Sequence, residues 1–221
     1  MVTVSQMPIP FERRVSYAAE DFIIGEANRH ATDVLDRFPN WPEPVMAIYG
    51  PTGSGKTHLA HRLAQLHDGT VLASEDLGKT DAAGLAAKAK LLVVDGFGDE
   101  AALAQLINYC RAEKHALLIT SREAPARVKT QLPDLHSRLS AMVALEMSAP
   151  DEALLVALLT KHFADRQIRV APDVIHYIVS RMERSYEAAM HAATWLDAKA
   201  MEAGRAITLP LARTWIEYAQ Q

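Results

Sequence analysis

The feature that most constrains this chain is a run of eight residues, Gly50-Pro51-Thr52-Gly53-Ser54-Gly55-Lys56-Thr57, that fits the pattern G-x-x-x-x-G-K-[ST]. It follows a short apolar run, Val45–Tyr49, and precedes a segment with leucines at helical spacing. A strand, a glycine-rich turn and a helix in this order let backbone N–H groups and the helix N-terminus face a phosphate group. The motif therefore predicts a nucleotide-binding loop in which Lys56 contacts phosphates and the Thr57 hydroxyl holds Mg²⁺.

The candidate nucleotide-binding residues in and beside this loop are Gly50, Thr52, Gly53, Ser54, Gly55, Lys56, Thr57 and His58. The aliphatic run that ends at Asp95 predicts a central strand whose terminal carboxylate helps to hold Mg²⁺, together with Thr57. Many ATPases of this class place a glutamate after that aspartate to polarise the attacking water, but here the next residue is Gly96. We therefore expect weak intrinsic turnover. Asp99 and Glu100 are alternative carboxylates, although the start of a solvated helix explains them more simply.

Alternating strand and helix patterns predict an α/β fold with a doubly wound parallel sheet. The expected strands are Val45–Tyr49, Thr70–Ala73, Leu91–Val94, Ala116–Thr120 and Met142–Met147. After Ala149-Pro150-Asp151 only helical periods remain, which predicts a C-terminal helical lid. We expect three parts: an extended tail at residues 1–16, a nucleotide-binding domain at 17–149 and the lid at 150–221. Helical spacing places Leu59, Leu63 and Leu66 on one face of the helix after the loop, and Met182, Met190 and Met201 are interpreted as core filler rather than as a cofactor site.

Composition limits the function classes. Lys and Arg number 23 against 27 Asp and Glu, a net charge of −4, so direct specific binding to DNA is not expected. A single cysteine, Cys110, excludes an internal disulfide framework and a thiolate cluster. We find no apolar run long enough for a membrane helix and no signal-peptide pattern at the start, so we expect a cytoplasmic protein without a membrane partner.

With these motifs in view, residues 17 to 220 resemble the AAA+ ATPases, and within them the DnaA-like replication initiators. The segment from Tyr17 to Asn28 is similar to the family's N-terminal segment, in which an aliphatic pair beside a glycine packs on adenine. The resemblance implies this role for Ile23 and Ile24, with ordinary helix-start packing as the alternative. ADP or ATP with Mg²⁺ is the implied ligand.

Three further motifs resemble those of the family. Leu117–Arg122 is similar to the sensor 1 strand, which implies a polar group, Ser121 or Thr120, near the γ-phosphate; we take Ser121 as the candidate. Pro133–Leu139 resembles the family motif that carries an arginine finger. The resemblance implies that Arg138 projects into the nucleotide site of a neighbouring subunit. Arg184 is similar to the lid arginine called sensor 2, which reaches the phosphates. Ordinary helix charges are the alternative for both arginines.

The tail contains Gln6-Met7-Pro8-Ile9-Pro10-Phe11, which is similar to the hexapeptide by which bacterial proteins bind the DNA polymerase sliding clamp. An extended segment of this kind offers Gln6 for hydrogen bonds, with Met7, Ile9 and Phe11 as apolar contacts. The two prolines reduce the entropy lost on docking. A plain linker is the alternative.

Together these features resemble the Hda family of regulatory inactivators of DnaA. The resemblance implies a negative regulator of replication initiation that docks on the clamp and stimulates ATP hydrolysis by the DnaA initiator. It also allows a nucleotide-dependent homo-oligomer. The alternative is a self-assembling AAA+ ATPase such as a helicase loader or remodeller. A small metabolite kinase and a DNA-binding regulator fit the lid arginine and the charge balance poorly.

Overall fold

The computed structural model of the protein describes residues 22–219. A five-stranded, entirely parallel sheet forms the first part, with the strand order β2-β3-β4-β1-β5. Its strands are β1 Val45–Tyr49, β2 Thr70–Ala73, β3 Leu91–Asp95, β4 Ala116–Ser121 and β5 Val143–Glu146. The predicted α/β fold with a parallel sheet is confirmed, and β3 and β4 each extend one residue beyond the predicted strand.

Helices cover the sheet and form the lid. Their bounds are α1 Glu26–Leu35, α2 Lys56–Leu66, α3 Ala82–Lys88, α4 Glu100–Glu113, α5 Pro133–Ser140, α6 Glu152–Asp165, α7 Pro172–Val179, α8 Tyr186–Ala203 and α9 Leu209–Ala219. Sequence periodicity did not predict α3, which is short and alanine-rich and is capped by the Asp81 side chain on the Gly84 N–H. No helix in residues 22–219 combines the length and apolar character needed to cross a membrane.

Alternation along the strands divides the core into two layers. In β1, Val45 and Ala47 face the layer under α3, α4 and α5, whereas Met46 and Ile48 face the layer under α1 and α2. Successive side chains in a strand point to opposite faces. Because helices cover both faces of the sheet, nearly every residue of the central strands is apolar.

The lid, α6 to α9, has its own core. All five predicted positions of α6 are buried in it: Leu154, Leu155, Leu158, Leu159 and Phe163. Trp215 of α9 fills its centre at 1% exposure. The interpretation of Met201 as core filler is wrong, because it is 70% exposed, and Leu66 is 51% exposed although Leu59 and Leu63 on its face are buried. Both lie near the C-terminal end of a helix, where the apolar spacing continues but no other element of residues 22–219 covers it.

The strand order determines where functional groups meet. β4 lies between β3 and β1, so the carboxyl ends of these strands, at Asp95, Ser121 and Tyr49, share one edge of the sheet. Ligands of open parallel sheets bind outside this edge. The phosphate motif follows β1 directly and therefore begins there.

Candidate functional site

The phosphate motif forms a tight loop closed by its own lysine. Lys56 begins α2 and is 9% exposed. Its Nζ donates to the carbonyl oxygens of Gly50 at 2.8 Å and Pro51 at 2.7 Å, and to the Ser54 Oγ at 3.2 Å. Burial lowers the pKa of Lys56; nearby Arg122 acts in the same direction and Asp95 opposes it. The ammonium group is therefore held over the loop, where a phosphate would lie.

Three oxygen-bearing side chains meet beside this loop. Thr57 Oγ1 donates to Asp95 Oδ2 at 3.1 Å, and Thr120 Oγ1 donates to Asp95 Oδ1 at 2.5 Å. Hydroxyl and carboxylate oxygens are the ligands that Mg²⁺ prefers in nucleotide sites. Thr57 and Asp95, predicted as the magnesium residues, are thus brought together, and their chemistry fits that ion.

The two sensor 1 candidates have different surroundings. Thr120 contacts Asp95 and accepts a hydrogen bond from the Gly96 N–H at 2.9 Å. Ser121, our candidate, donates instead to the carbonyl of Glu123 within its own loop. The structure therefore connects Thr120, rather than Ser121, to the metal residues.

The segment after Asp95 explains the missing glutamate. Gly96 has φ +99°, and a Cβ there would lie 3.0 Å from the Ser74 Oγ. Side chains rarely tolerate this left-handed backbone. Asp99 caps α4 by accepting from the Ala102 N–H at 2.8 Å. The local backbone thus favours glycine at the position where related ATPases carry a catalytic carboxylate. Asp99 does not replace that carboxylate, because its side chain caps α4.

Glu100 is also engaged away from the phosphate loop. Its Oε2 accepts from Thr130 Oγ1 at 2.7 Å and from the Gln131 N–H at 2.9 Å. These residues lead into α5, the helix that carries Arg138. Glu100 therefore anchors the approach to α5 and does not replace the missing glutamate.

Arg138 lies on the surface and is paired within its own helix. Its Nε and Nη2 donate to the Asp134 carboxylate at 2.9 and 2.8 Å, one turn earlier. The arginine side chain is 27% exposed and the aspartate 64% exposed. A partly exposed guanidinium paired with a carboxylate of its own helix is what a group offered to another molecule and an ordinary helix pair would both show.

The lid approaches the loop through the start of α8. Arg184 directly precedes the Ser185 cap of α8; it is exposed and has no ion-pair partner within residues 22–219. The next residue, Tyr186, donates its N–H to the Gly53 carbonyl at 2.8 Å. The predicted sensor 2 arginine thus lies next to a lid residue that contacts the phosphate loop.

The remaining predicted nucleotide residues flank this arrangement. Ile23 packs against the lid core, whereas Ile24 is 41% exposed. The His58 ring lies edge-on to Phe22, with ring centroids 5.3 Å apart. Thr52 is exposed at the tip of the loop. The predicted clamp motif at Gln6–Phe11 lies outside the described residues.

Sequence reasoning missed two residues of the site. Asn28 is 1% exposed and donates to the Tyr186 hydroxyl at 2.9 Å, across 158 positions of sequence. The sequence places Asn28 only in the segment that resembles the family's N-terminal segment, and no sequence pattern indicates a role in the site for Tyr186. A buried asparagine needs hydrogen-bond partners, which is the signal that could have singled it out.

Comparison with protein families matches both parts of the chain. The Hda lid domain family matches residues 151–216, and the bacterial DnaA ATPase domain family matches residues 13–71. An uncharacterised protein of Haemophilus influenzae is 24% identical, over 94% of this chain and 96% of its own length. The initiator DnaA of Cutibacterium acnes is 25% identical over 76% of this chain, which spans 39% of that longer protein.

Solved structures share the fold. Domain III of the Thermotoga maritima initiator DnaA superposes with a TM-score of 0.78 at 18% identity, over 93% of this chain and 98% of the domain. Aquifex aeolicus DnaA bound to AMPPCP has a TM-score of 0.72 at 18% identity, over 86% of this chain and 67% of that one. The T. maritima RuvB branch migration motor follows at 0.69 and 16%, over 92% and 72%.

The two families match in order along the chain: the first match contains the phosphate motif, and the second covers most of the helical lid. The chain therefore matches the bacterial DnaA ATPase domain family at residues 13–71 and the Hda lid domain family at residues 151–216, and it shares its fold with domain III of DnaA.

Proposed function

We propose that this protein is a nucleotide-dependent negative regulator of replication initiation, which binds ADP or ATP with Mg²⁺ and promotes ATP hydrolysis by a DnaA initiator. The observation that carries the nucleotide site is the meeting of Lys56, Thr57 and Asp95 at one edge of the sheet. The lid match and the related initiators support the regulatory role.

In this proposal the loop residues bind and orient the nucleotide. The backbone N–H groups of Gly53 and Gly55 and the Lys56 ammonium bind the phosphates, and the start of α2 also favours negative charge there. Thr57 and Asp95 hold Mg²⁺, which neutralises phosphate charge when bound. Arg184 reaches the phosphates from the lid.

Arg138 performs its chemistry in a second protein. Its guanidinium enters the nucleotide site of a DnaA protomer and stabilises the charge that develops during hydrolysis, an effect worth roughly 10³ to 10⁵ in rate in GTPases. The protein's own turnover is low because Gly96 carries no carboxylate and Asp99 and Glu100 are engaged elsewhere.

The tail supplies the location. In this proposal Gln6, Met7, Ile9 and Phe11 bind the sliding clamp, so that a cytoplasmic regulator is concentrated at the site of DNA synthesis. Tethering raises the effective concentration of Arg138 near the initiator without new contacts to it. Replacing Gln6 and Phe11 together by alanine is expected to abolish retention on clamp-loaded DNA and to leave ADP affinity unchanged. Equal loss of both would show that the tail is structural.

The decisive experiment measures ATP hydrolysis by a DnaA initiator on DNA loaded with the clamp. Wild-type protein is expected to stimulate hydrolysis, and Arg138→Ala is expected to abolish the stimulation. The matched control is Arg213→Ala, which removes an exposed arginine from α9 of the lid.

Two other results would change the assignment. Stimulation that survives Arg138→Ala would contradict the arginine finger while leaving the regulatory role in place. Absence of stimulation, together with ATP turnover by this protein that rises with its own concentration, would favour a self-assembling ATPase.

A further inference from the structure

The first turn of α8 lies directly against the glycines of the phosphate loop. A Cβ at Gly53 would lie 2.7 Å from the Cβ of Ser185, and a Cβ at Gly55 would lie 3.3 Å from the Tyr186 ring. Both glycines also have positive φ, +74° and +89°. Backbone conformation and lack of space therefore both require glycine here. The loop contacts the lid as well as offering its N–H groups to a phosphate.

The Tyr186 ring lies on Gly55, and its hydroxyl contacts a second segment, residues 23–28. One N–H of Asn28 Nδ2 donates to that hydroxyl and the other to the Ile23 carbonyl, both at 2.9 Å. Asn28 Oδ1 accepts from the Gly25 N–H at 2.9 Å. Both donors and the acceptor of a 1% exposed amide are thus used. Asn28 ties together residues 23–28, which are the approach to α1 and its first helical turn (the turn Ile23–Asn28), and connects them to α8.

A second lid helix touches the same turn. A Cβ at Gly25 would lie 3.0 Å from Leu154 Cδ2 of α6. Ile23 and Ala27 pack against the lid core, as the Tyr186 ring does. The turn therefore fits between α6 and α8. Apolar packing keeps the turn in contact with the lid, whereas the Asn28 hydrogen bond to Tyr186 sets the orientation of the turn relative to α8.

The geometry points to the Tyr186 hydroxyl and Asn28 as a latch that joins the lid to the turn Ile23–Asn28 in the arrangement that receives the nucleotide base. This rests on the proposed nucleotide-binding function. Tyr186 is a positioning residue: its ring rests on the phosphate loop and its hydroxyl sets where the turn stands relative to the lid. Phosphate binding uses the loop and Arg184 at the start of α8, whereas base binding also needs the turn to stand in its place against the lid.

The hydroxyl stays protonated during any practical measurement. Burial raises the pKa of Tyr186 to about 12, so its charge does not change near neutral pH. Loss of the latch lets α8 leave the turn, and the fraction of molecules competent to bind the base falls. The apparent affinity for a ligand falls with the fraction of competent molecules.

The test compares two ligands on Tyr186→Phe, which keeps the ring on Gly55 and removes only the hydroxyl. ADP with Mg²⁺ is measured by titration calorimetry and inorganic pyrophosphate with Mg²⁺ by competition against ADP. We expect ADP to bind about three- to tenfold more weakly, the effect of one lost hydrogen bond. Pyrophosphate affinity is expected to stay within about twofold, since its ligands lie in the loop and at Arg184, and the retained backbone bond from Tyr186 to Gly53 keeps the start of α8 at the loop. The matched control is Tyr177→Phe in α7, whose ring lies over Arg181.

The outcomes separate the latch from its alternatives. An equal loss for both ligands would overturn it, because Tyr186 would then support the phosphate loop itself. Unchanged affinity for both ligands would overturn it as well. Asn28→Ala gives a second check: its cost in ADP affinity must be smaller in the Tyr186→Phe background than in the wild type, and additive costs contradict the latch. Wild-type protein that fails to bind ADP would instead overturn the proposed nucleotide function.

Discussion

The phosphate loop and the surface of α5 each present a cation, but in opposite environments. Lys56 is 9% exposed and donates to two carbonyl oxygens and a hydroxyl of its own loop. The Arg138 side chain is 27% exposed and meets a carboxylate one turn away on its own helix. The fold fixes the first cation from several directions and leaves the second open on one side. Substitutions at the loop should therefore cost far more than substitutions at α5.

Lys56→Ala should have the largest effect. Charge-assisted hydrogen bonds contribute about 1.5–3 kcal/mol each, so loss of the ammonium should weaken ADP binding about 100-fold. Titration calorimetry measures the change, with Lys199→Ala on the lid surface as the matched control. Unchanged binding would contradict the assignment of the phosphate loop, and with it the contrast between the two cations.

Gly96→Glu tests whether a carboxylate can be restored beside the loop. The backbone there has φ +99°, so any side chain is strained and the free energy of unfolding should fall by about 1 to 2 kcal/mol. Urea unfolding measures this loss. Gly96→Ala should lose a similar amount, because the cost lies in the backbone and not in the charge. A fully stable Gly96→Glu protein would show that the loop edge is more adaptable than its contacts indicate.

Glu100→Ala addresses the connection between the two regions. Thr130 and the Gln131 N–H lose their acceptor, which should cost about 1 kcal/mol locally. Faster amide hydrogen exchange at Gln131 and Leu132 is the expected observation. Glu113→Ala, at the other end of α4, is the control and should leave these amides unchanged. Equal exchange in both variants would mean that the approach to α5 is held by packing alone.

Asp134→Ala should have the smallest effect on stability. Exposed ion pairs one helical turn apart contribute about 0.3–0.5 kcal/mol, so the free energy of unfolding should change by no more than that. Thermal unfolding at low and high salt measures it, and the difference from wild type should shrink as salt screens the pair. A loss above 1 kcal/mol would mean that the Arg138–Asp134 pair stabilises the fold itself. Arg138 would then be no freer to contact another molecule than Lys56 is.

The sequence predicted the site best where a functional residue directly follows a strand, because the strand then determines its position. The phosphate motif and Asp95 follow strands directly, so their pattern predicted both their elements and their meeting at one edge. Sensor 1 was harder, because residues alternate between the two faces of a strand. Sequence alone does not say whether Thr120 or Ser121 faces the neighbouring Asp95, and this depends on the register of β4 against β3.

Pairings between distant parts of the chain were not predictable at all. Asn28 and Tyr186 are separated by 158 positions, and neither lies in a local pattern that indicates the other. Leu66 and Met201 show the converse error, since periodicity predicts an apolar face but not where the covering neighbour ends. Both limits have one cause: periodicity describes a single element, whereas burial and pairing depend on what packs against it.

The two ends of the parallel strands differ in how well they tolerate inserted residues. The amino ends tolerate them, whereas the carboxyl ends, where the phosphate loop lies, do not. Connections such as His67–Gly69 and Lys114–His115 enter the strands at their amino ends, opposite the phosphate loop. An added residue there would lengthen a surface turn at little cost. One residue added within β4 would instead turn Thr120 to the other face and separate it from Asp95. Insertions that vary this protein without loss of its nucleotide site are therefore expected at the amino edge.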